Sequence, residues 1–287
     1  DDLPLGDINK RLKTIQKAIK AIPLSKMPKN NGKGLSEELA SLLNNEYRDV
    51  GRIRLRSSTN CEDLPTFNGA GLYESEGLSL MKVDAAGKRV IKEKKLWKKL
   101  KRVMASLWLP RAFHEREYFG IDHTKAAMAI QVNPAFSNKW LNGVERQEWG
   151  NGVALYDEKG GTKTLQLNSQ FGRASVTNPV AGELAESLVF SSGKLKQVKA
   201  RSSLQGRSHT VFLHPTLDAI NAKEKPILKA LQEAVKVVFD QKVVNNPDPV
   251  FNSPEQYGID IEYKIMWDRQ LRKKLLFIKQ ARPLTLG

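Results

Sequence analysis

The sequence predicts an α+β fold with mixed and antiparallel sheets, and three observations support this prediction. Apolar residues recur at helical spacing in several stretches, the first of which covers residues 7–22 and ends at Pro23. From residue 258 to residue 265, apolar and polar residues alternate strictly, as in an antiparallel strand with one buried face. The chain shows no repeat of fixed period, and its mixture of helices and antiparallel strands argues against a doubly wound parallel sheet.

The other elements follow from the same patterns in chain order. Residues 24–35 are polar and rich in turn formers, so they predict a loop, and Ser36 is placed as the N-cap of a short helix that ends near Tyr47. A strand is then predicted over 52–58, a helix from Lys88 to Leu109, and a buried strand over 125–132. Residues 140–180 are predicted to form short strands joined by glycine turns such as Gly160-Gly161. A lysine-rich helical stretch is predicted over 216–242, and Pro226 divides it into two.

The charge of the chain is unusual, whereas its 40% apolar content is ordinary for a globular protein. Lys and Arg total 47 against 31 for Asp and Glu, which gives a formal charge of +16. Nine of these cations fall within residues 88–102, opposite an apolar helix side that includes Trp97 and Leu100. We predict that this stretch contacts nucleic acid or another polyanion, and a solvated helix face is the alternative.

The single cysteine, Cys61, excludes a disulfide within the chain and fits a reducing compartment. We interpret it as a small packing residue and not as a nucleophile. No run of about 18 apolar residues occurs and no signal peptide is visible, so no contact with a membrane is expected. We expect the cytoplasm or an organelle matrix and not secretion.

A hairpin near the C-terminus combines two carboxylates with an amide and a guanidinium. Alternation places Asp260 and Glu262 on one face of a strand, and the partner strand over residues 275–282 places Gln280 and Arg282 on one face. If the two faces meet, the carboxylates could share a hard cation such as Mg²⁺, and the arginine could bind phosphate. The alternative is an ordinary amphipathic hairpin with a solvated charged face, which the alternation alone favours.

A second candidate site is a polar, glycine-containing loop. Arg56 ends a predicted strand, Ser57 and Ser58 add hydroxyl groups, and Gly69 and Gly71 let backbone N–H groups approach an anion closely. The spacing does not match the Walker A or the dinucleotide-binding motif. A phosphate-handling loop and a polar loop with turn glycines are equally compatible with these residues.

The loop resembles a known family of enzymes. Arg56-Ser-Ser, followed by Glu62-Asp63-Leu-Pro and then by Phe67-Asn68-Gly-Ala-Gly, is similar to the signature loop in the ATP-binding domain of phosphoenolpyruvate synthases and pyruvate phosphate dikinases. Asp260-Ile-Glu, followed by Gln-Ala-Arg282-Pro, resembles the end of the same domain, and the two motifs occur in the family's order. The resemblance covers about residues 50–285, and it includes connecting segments at residues 105–113, 128–132 and 176–179.

The resemblance implies an ATP-grasp-like fold in which ATP lies between two lobes, with ATP and Mg²⁺ as ligands. In the family, the arginine that corresponds to Arg56 stabilises the transferring phosphate, and the one that corresponds to Arg282 contacts phosphate. The glycine loop closes over the phosphates. The implied nucleotide-binding residues are Arg56, Ser57, Ser58, Glu62, Asp63, Asn68, Gly69, Gly71, Gln280 and Arg282. The implied metal-site residues are Asp260, Glu262 and Gln280.

On this basis we interpret residues 50–287 as the nucleotide-binding domain and residues 1–49 as a helical N-terminal segment, the remnant of a longer lobe. Full enzymes of the family pass phosphate to a histidine on a swivelling domain and then to pyruvate in a barrel domain, and neither domain fits here. None of the four histidines lies in the glycine-rich, threonine-containing context of the phosphohistidine motif. We therefore expect a separate phosphohistidine or acceptor domain, and we interpret His123 as a cap or surface residue.

Two departures from the family stand out. The family's Gly-Gly-Lys-Gly segment has only a faint counterpart at residues 31–34, so Lys33 is interpreted as a coincidence. Glu145, Arg146 and Glu148 stand where relatives carry small and apolar residues, which weakens the case for adenine binding.

Two functions stay open on the sequence. In the first, the chain is an ATP- and Mg²⁺-binding phosphotransferase domain of the dikinase type. In the second, it is a non-catalytic relative that serves as a basic structural or RNA-binding subunit of a large assembly. The intact motif residues favour the first, whereas the charge and the departures favour the second.

Overall fold

The structure is a computed structural model. It describes residues 4–26, 29–30, 32–45, 52–64, 67–69, 71–79, 81–83, 85, 89–135, 146–172, 174, 176, 182–203 and 210–286. The chain forms two compact units, Asp1–Gly143 and Val144–Gly287. The α+β prediction with mixed helices and antiparallel sheets is confirmed. The domain boundary placed between residues 49 and 50 stays a prediction.

Over the residues that the structure describes, the first unit combines four α-helices with short antiparallel sheets. Its helices are α1 (Leu5–Ala21), α2 (Leu35–Asn45), α3 (Glu93–Ala105) and α4 (Pro110–Tyr118). Its strands are β1 (Lys29–Asn30), β2 (Lys33–Gly34), β3 (Arg52–Thr59), β4 (Asp63–Leu64), β5 (Phe67–Asn68), β6 (Glu76–Ser79), β7 (Met81–Val83), β8 (Arg89–Val90) and β9 (Met128–Pro134). Strand β3 lies between β6 and β9. The core forms where Ile53 and Leu55 of β3 pack with Leu96 and Val103 of α3.

Two boundaries in this unit differ from the prediction. The helix predicted from Lys88 begins only at Glu93, because Val90 belongs to the short strand β8. Ser36 lies inside α2, and its hydroxyl donates to the Glu93 carboxylate over 3.0 Å, so it is not the predicted N-cap. The first error arises from a local hairpin with β7, and the second from a contact with a residue 57 positions away.

The second unit is a six-stranded antiparallel sheet covered on one face by a helix. Its elements are β10 (Arg146–Asp157), β11 (Thr164–Phe171), β12 (Glu186–Ser191), β13 (Lys194–Ala200), α5 (Lys225–Phe239), β14 (Tyr257–Asp268) and β15 (Lys273–Thr285). The strand order is β13-β12-β11-β10-β14-β15, and α5 continues into a π-helical turn at Asp240–Val244. The predicted C-terminal hairpin is confirmed as β14 and β15.

Two predictions in this unit need correction. Pro226 lies in the first turn of α5 and begins the helix, since a first-turn proline loses no intrahelical hydrogen bond. Residues 216–221, predicted as helical, lie outside it. The strands expected to be short are 12 residues (β10) and 8 residues (β11) long, and the predicted turn at Gly160-Gly161 joins them with positive φ angles.

Helix α5 explains why the two faces of the sheet differ. Ile259, Ile261, Tyr263 and Ile265 of β14 are all inaccessible to solvent and pack in one core cluster with α5 residues such as Leu231. The alternating residues of β14 lie on the opposite face, which we call the open face. The open face carries the candidate functional residues Asp260 and Glu262.

Gly152 is predicted to be intolerant of any side chain. A Cβ atom there would lie 2.3 Å from the Tyr263 hydroxyl oxygen and 2.5 Å from the Asn168 carbonyl oxygen. We expect Gly152→Ala to lower the free energy of unfolding by about 2 kcal/mol, because the buried ring has no room to move. Urea unfolding measures this, with Gly6→Ala as the control, since a Cβ there contacts nothing. Equal stability of the two variants would contradict the packing described here.

Candidate functional site

The hairpin brings together the four polar residues singled out in the sequence. In the β14–β15 register Asp260 lies opposite Arg282, and Glu262 lies opposite Gln280. The alternation that buries the isoleucines against α5 directs these residues to the open face. Two carboxylates, one amide and one guanidinium therefore occupy adjacent positions on two paired strands.

Arg282 is buried and has an unused hydrogen-bonding capacity. Its Nε atom lies 3.5 Å from Oδ2 of Asp260, and the residue is only 6% exposed. Among the described residues, its Nη1 atom has no hydrogen-bond partner. Buried donors are normally paired, so this guanidinium is suited to a bound anion that would complete its hydrogen bonds.

A β-bulge adds Lys279, a residue that the sequence reasoning missed. The register shifts between Glu262 and Tyr263, so Gln280 pairs with the first and Ile278 with the second, and Lys279 is the extra residue. Its Nζ atom lies 2.8 Å from Oε2 of Glu262. Strict alternation would have placed Lys279 on the other face, and nothing in the local sequence signals the bulge.

The neighbouring strand β10 supplies an apolar surface beside the carboxylates. Leu155 lies next to Asp260, and Val153 lies next to Glu262. Glu148, one of the charged departures, is buried earlier in the strand, and its carboxylate accepts from Nζ of Lys264 over 2.6 Å. The charge of Glu148 is thus neutralised where β10 begins. Glu145 lies outside the described residues.

The candidate metal ligands form a set of oxygen donors. Within the described ranges, no group of three or more His, Cys, Asp or Glu side chains could hold a metal ion. Asp260, Glu262 and Gln280 supply two carboxylates and one amide. Such a set suits Mg²⁺, which uses one or two protein carboxylates and completes its shell with water and phosphate oxygens.

In the first unit, β3 carries three arginines on one face. Arg52, Arg54 and Arg56 alternate with the buried residues Ile53 and Leu55. Burial and the charges of Arg56 and Arg52 lower the pKa of Arg54 from its ordinary value. The face therefore concentrates positive charge at the strand that leads into the glycine loop.

Backbone hydrogen bonds close the glycine loop. The N–H of Gly69 donates to the carbonyl oxygen of Glu62 over 2.8 Å, and a Cβ at Gly69 would lie 3.2 Å from Cα of Glu62. Gly71 has a φ of +76°, a conformation that favours glycine. Gly69 thus packs closely within the loop, and the conformation of Gly71 favours glycine. The side chains of Asp63 and Asn68, predicted to bind nucleotide, lie outside the described part of the chain.

A buried arginine supports the far end of this loop. Arg116 is inaccessible to solvent, and it donates to the Tyr73 hydroxyl over 3.2 Å and to the Leu107 carbonyl over 2.9 Å. The Tyr73 hydroxyl lies 3.7 Å from Sγ of Cys61, which is buried. Burial raises the pKa of Tyr73, so this hydroxyl stays neutral. We call Arg116, Tyr73 and Cys61 the Arg116 network, and it ties both flanks of the loop to α4.

His123 also belongs with these residues, so its interpretation as a cap or surface residue is wrong. Nε of Arg116 lies 3.3 Å from Nδ1 of His123, whose ring stacks on Phe113 with centroids 4.0 Å apart. Its Nε2 atom lies 2.7 Å from the Glu117 carboxylate. The histidine thus links the buried arginine to a carboxylate near the surface.

Several cations of the basic stretch have structural partners. Lys99 and Arg102 lie 2.5 Å and 3.1 Å from the carboxylate oxygens of Glu76. Nζ of Lys101 donates to the carbonyl oxygens of Lys20 and Ile22 at the end of α1. These contacts hold α3 against its neighbours. Polyanion binding by residues 88–102 stays a prediction.

The ion pairs of Glu76 with Lys99 and Arg102 predict a specific pH dependence of stability. Burial alone would raise the pKa of Glu76, but Lys99 and Arg102 hold it below its ordinary value of 4.5. The pairs therefore stabilise the fold above pH 4.5, and this contribution disappears as the pH falls through the folded pKa. Glu76→Gln should lower the free energy of unfolding by about 1 kcal/mol or less at neutral pH and by nothing at low pH.

Urea unfolding at a series of pH values measures the Glu76 effect. Glu233→Gln is the matched control, because its partner Lys229 lies 3.8 Å away and both side chains are exposed. A stability difference for Glu76→Gln that persists unchanged at low pH would show that the ion pairs are not its cause.

A family model described as pyruvate phosphate dikinase, AMP/ATP-binding domain, matches residues 1–287. The chain belongs to this family. The phosphoenolpyruvate synthase of Aeropyrum pernix is 34% identical over 101 residues, which cover 32% of this chain and 11% of that enzyme. The pyruvate phosphate dikinase family resemblance predicted from the two motifs is thus confirmed.

The family match fits the α+β architecture of the two units. The chain spans about one tenth of the length of the matched Aeropyrum pernix enzyme. Across the described ranges, no helix is long and apolar enough to cross a membrane.

Proposed function

We propose that the chain binds ATP with Mg²⁺ and transfers phosphate from ATP toward a phosphohistidine on a separate domain or chain. The observation that carries this proposal is the paired arrangement of Asp260 with Arg282 and of Glu262 with Gln280 on the open face. Membership of an AMP/ATP-binding domain family supports the nucleotide, and the donor set supports the metal.

In the proposed site, Asp260, Glu262 and Gln280 hold Mg²⁺, which would neutralise phosphate charge. Arg282 binds a phosphate oxygen through the Nη1 donor that has no partner among the described residues. Lys279 neutralises Glu262 before the nucleotide binds, and this keeps the carboxylate oriented toward the open face. Val153 and Leu155 offer apolar contacts to the flat base.

The loop of the first unit is proposed to bind phosphate as well. Arg56 supplies a guanidinium, and Ser57 and Ser58 supply hydroxyl donors at the end of β3. Gly69 closes the loop through its N–H, and the absence of a side chain at Gly71 lets a phosphate approach the backbone closely. Phosphoryl transfer requires positioning and charge neutralisation above all, and these groups provide both.

The phosphate acceptor is proposed to lie outside this chain. His123 is engaged by Arg116 and Glu117, and Nε2 of His114 lies 3.2 Å from Oδ1 of Asn9. Phosphorylation of either would break these contacts. The alternative of a non-catalytic RNA-binding subunit has weaker support, because Lys99, Lys101 and Arg102 already have partners within the chain.

Isothermal calorimetry with ATP, with and without Mg²⁺, tests the proposed function. We expect Mg²⁺-dependent binding that the double variant Glu262→Ala, Arg282→Ala abolishes. The matched control is Lys229→Ala, Glu233→Ala, which removes one acid and one base from an exposed pair on α5. Absence of binding at millimolar ATP, or equal binding by both double variants, would contradict the proposal.

A further inference from the structure

The second unit contains an open cavity of about 670 Å³ that the proposed nucleotide site does not use. It lies where the N-terminal turn of α5 meets the turn between β14 and β15, and Trp149 and Trp267 line it. Trp267 has the same parity along β14 as Ile265, so it lies on the face that α5 covers. Asp260 and Glu262 lie on the open face. The sheet therefore separates this cavity, the Trp149–Trp267 pocket, from the candidate site.

The floor of the pocket is apolar and locally neutral. Ile227 and Pro226 of α5 line it together with the two indole rings. Nζ of Lys274 lies 3.6 Å from the centroid of the Trp149 ring and forms an ion pair with Glu224. The Glu224 carboxylate thus neutralises the charge of Lys274. A flat apolar group can contact the floor without leaving a charge unpaired.

The rim of the pocket is cationic. Lys223, Arg272 and Lys273 line it and are exposed. None of the three forms an ion pair with any residue that the structure describes. Three cations around an apolar cavity create a positive potential that attracts an anionic group.

Arg272 stands at a position where folding alone would favour glycine. Its φ angle is 48°, in the left-handed region that residues other than Gly, Asn and Asp seldom adopt. The turn thus keeps a guanidinium at the mouth of the pocket in spite of a conformational cost. Such a residue is a candidate for a binding role.

We propose that the Trp149–Trp267 pocket binds an aromatic anion of nucleotide size. The flat ring contacts the indoles and Ile227, and the phosphate or carboxylate group lies beside Lys223, Arg272 and Lys273. The volume of the cavity is in the range of small-molecule sites, and convergent charges at one end of an apolar cavity fix the orientation of such a ligand. This site is independent of the proposed ATP site.

The dye 1-anilinonaphthalene-8-sulfonate is a suitable probe, because it joins a flat aromatic system to one negative charge. We titrate the full chain with and without MgATP, and we follow energy transfer from tryptophan to the dye. We expect one dye molecule per chain, with an affinity that MgATP does not change. The double variant Arg272→Gly, Lys273→Gln should bind the dye about tenfold more weakly, since it loses two rim charges.

Two controls separate charge recognition from a general change of structure. N-Phenyl-1-naphthylamine has the same rings without the sulfonate, and its affinity should change less than twofold in the double variant. Lys194→Gln, Lys196→Gln removes two exposed charges from β13 and should leave the binding of both dyes unchanged. Glycine fits the backbone at position 272, so the Arg272→Gly change relieves strain and does not threaten the fold.

The proposal would be overturned by either of two results. In the first, the double variant Arg272→Gly, Lys273→Gln binds the sulfonate dye as tightly as the parent chain does, and so does the single variant Trp267→Leu. In the second, the rim variant weakens the charged and the uncharged dye equally. Failure of MgATP to bind would count against the proposed function alone, because the dye titration without nucleotide would still report on this pocket.

Discussion

Replacing Arg282 by methionine is expected to weaken MgATP binding by about 100-fold, a loss of about 3 kcal/mol. The guanidinium is buried beside Asp260 and has a donor without a partner among the described residues, so a bound phosphate oxygen would satisfy it. Methionine keeps the apolar length of the side chain and removes only the charge and the donors. Adenosine, which has no phosphate, should bind both proteins with the same affinity.

Calorimetry with ATP and adenosine measures the two effects on Arg282→Met. Arg201→Met is the control, because Arg201 pairs with an exposed carboxylate, that of Asp218, in the same unit. The control should change ATP affinity less than twofold. If Arg282→Met weakened adenosine and ATP binding equally, Arg282 would stabilise the hairpin and would not bind phosphate.

Replacing Arg116 by methionine should lower the free energy of unfolding by about 3 kcal/mol or more. The change removes a side chain that is inaccessible to solvent, and it leaves the Tyr73 hydroxyl and the Leu107 carbonyl without this donor. Buried polar groups that lose their partners each cost about 1–3 kcal/mol. The Arg116 network supports the glycine loop, so the variant should also bind MgATP more weakly.

Urea unfolding compares Arg116→Met with Arg111→Met. Arg111 lies on the same helix α4 and donates from Nε to the Leu72 carbonyl over 2.9 Å, but it is exposed. Its replacement should cost less than about 1 kcal/mol. Equal losses for the two variants would mean that the buried network contributes no more than a surface hydrogen bond.

The sequence predicts the C-terminal hairpin well, because its pattern is local. Alternation from Ile259 to Ile265 directly reports which face is buried. The pairing of Asp260 with Arg282 depends also on the bulge at Lys279, because the register at the turn would otherwise place Asp260 opposite Ala281. The prediction for Pro226 is wrong. A proline that divides a helix and a proline that begins one can be told apart only when the structure of the preceding residues is known.

Other features depend on contacts that no local pattern contains. The bulge at Lys279 shifts the pairing of β15 beyond it by one residue, and alternation cannot report a single extra residue. The Arg116 network joins residues 43 positions apart, from Tyr73 to Arg116, through the packing of α4. Arg116 stands between Glu115 and Glu117 in α4, so the local sequence gives no signal that it is buried. The tertiary fold decided that this arginine is buried.

We propose that Asp260, Glu262 and Arg282 form the metal and phosphate site. A crystal structure of the chain with Mn²⁺ and a non-hydrolysable ATP analogue tests it most directly, because Mn²⁺ replaces Mg²⁺ at oxygen sites and is located by anomalous scattering. We predict a manganese peak within about 2.3 Å of a carboxylate oxygen of Asp260 or Glu262, with a phosphate oxygen bonded to Arg282. Nucleotide bound elsewhere, with no manganese at these carboxylates, would contradict the claim.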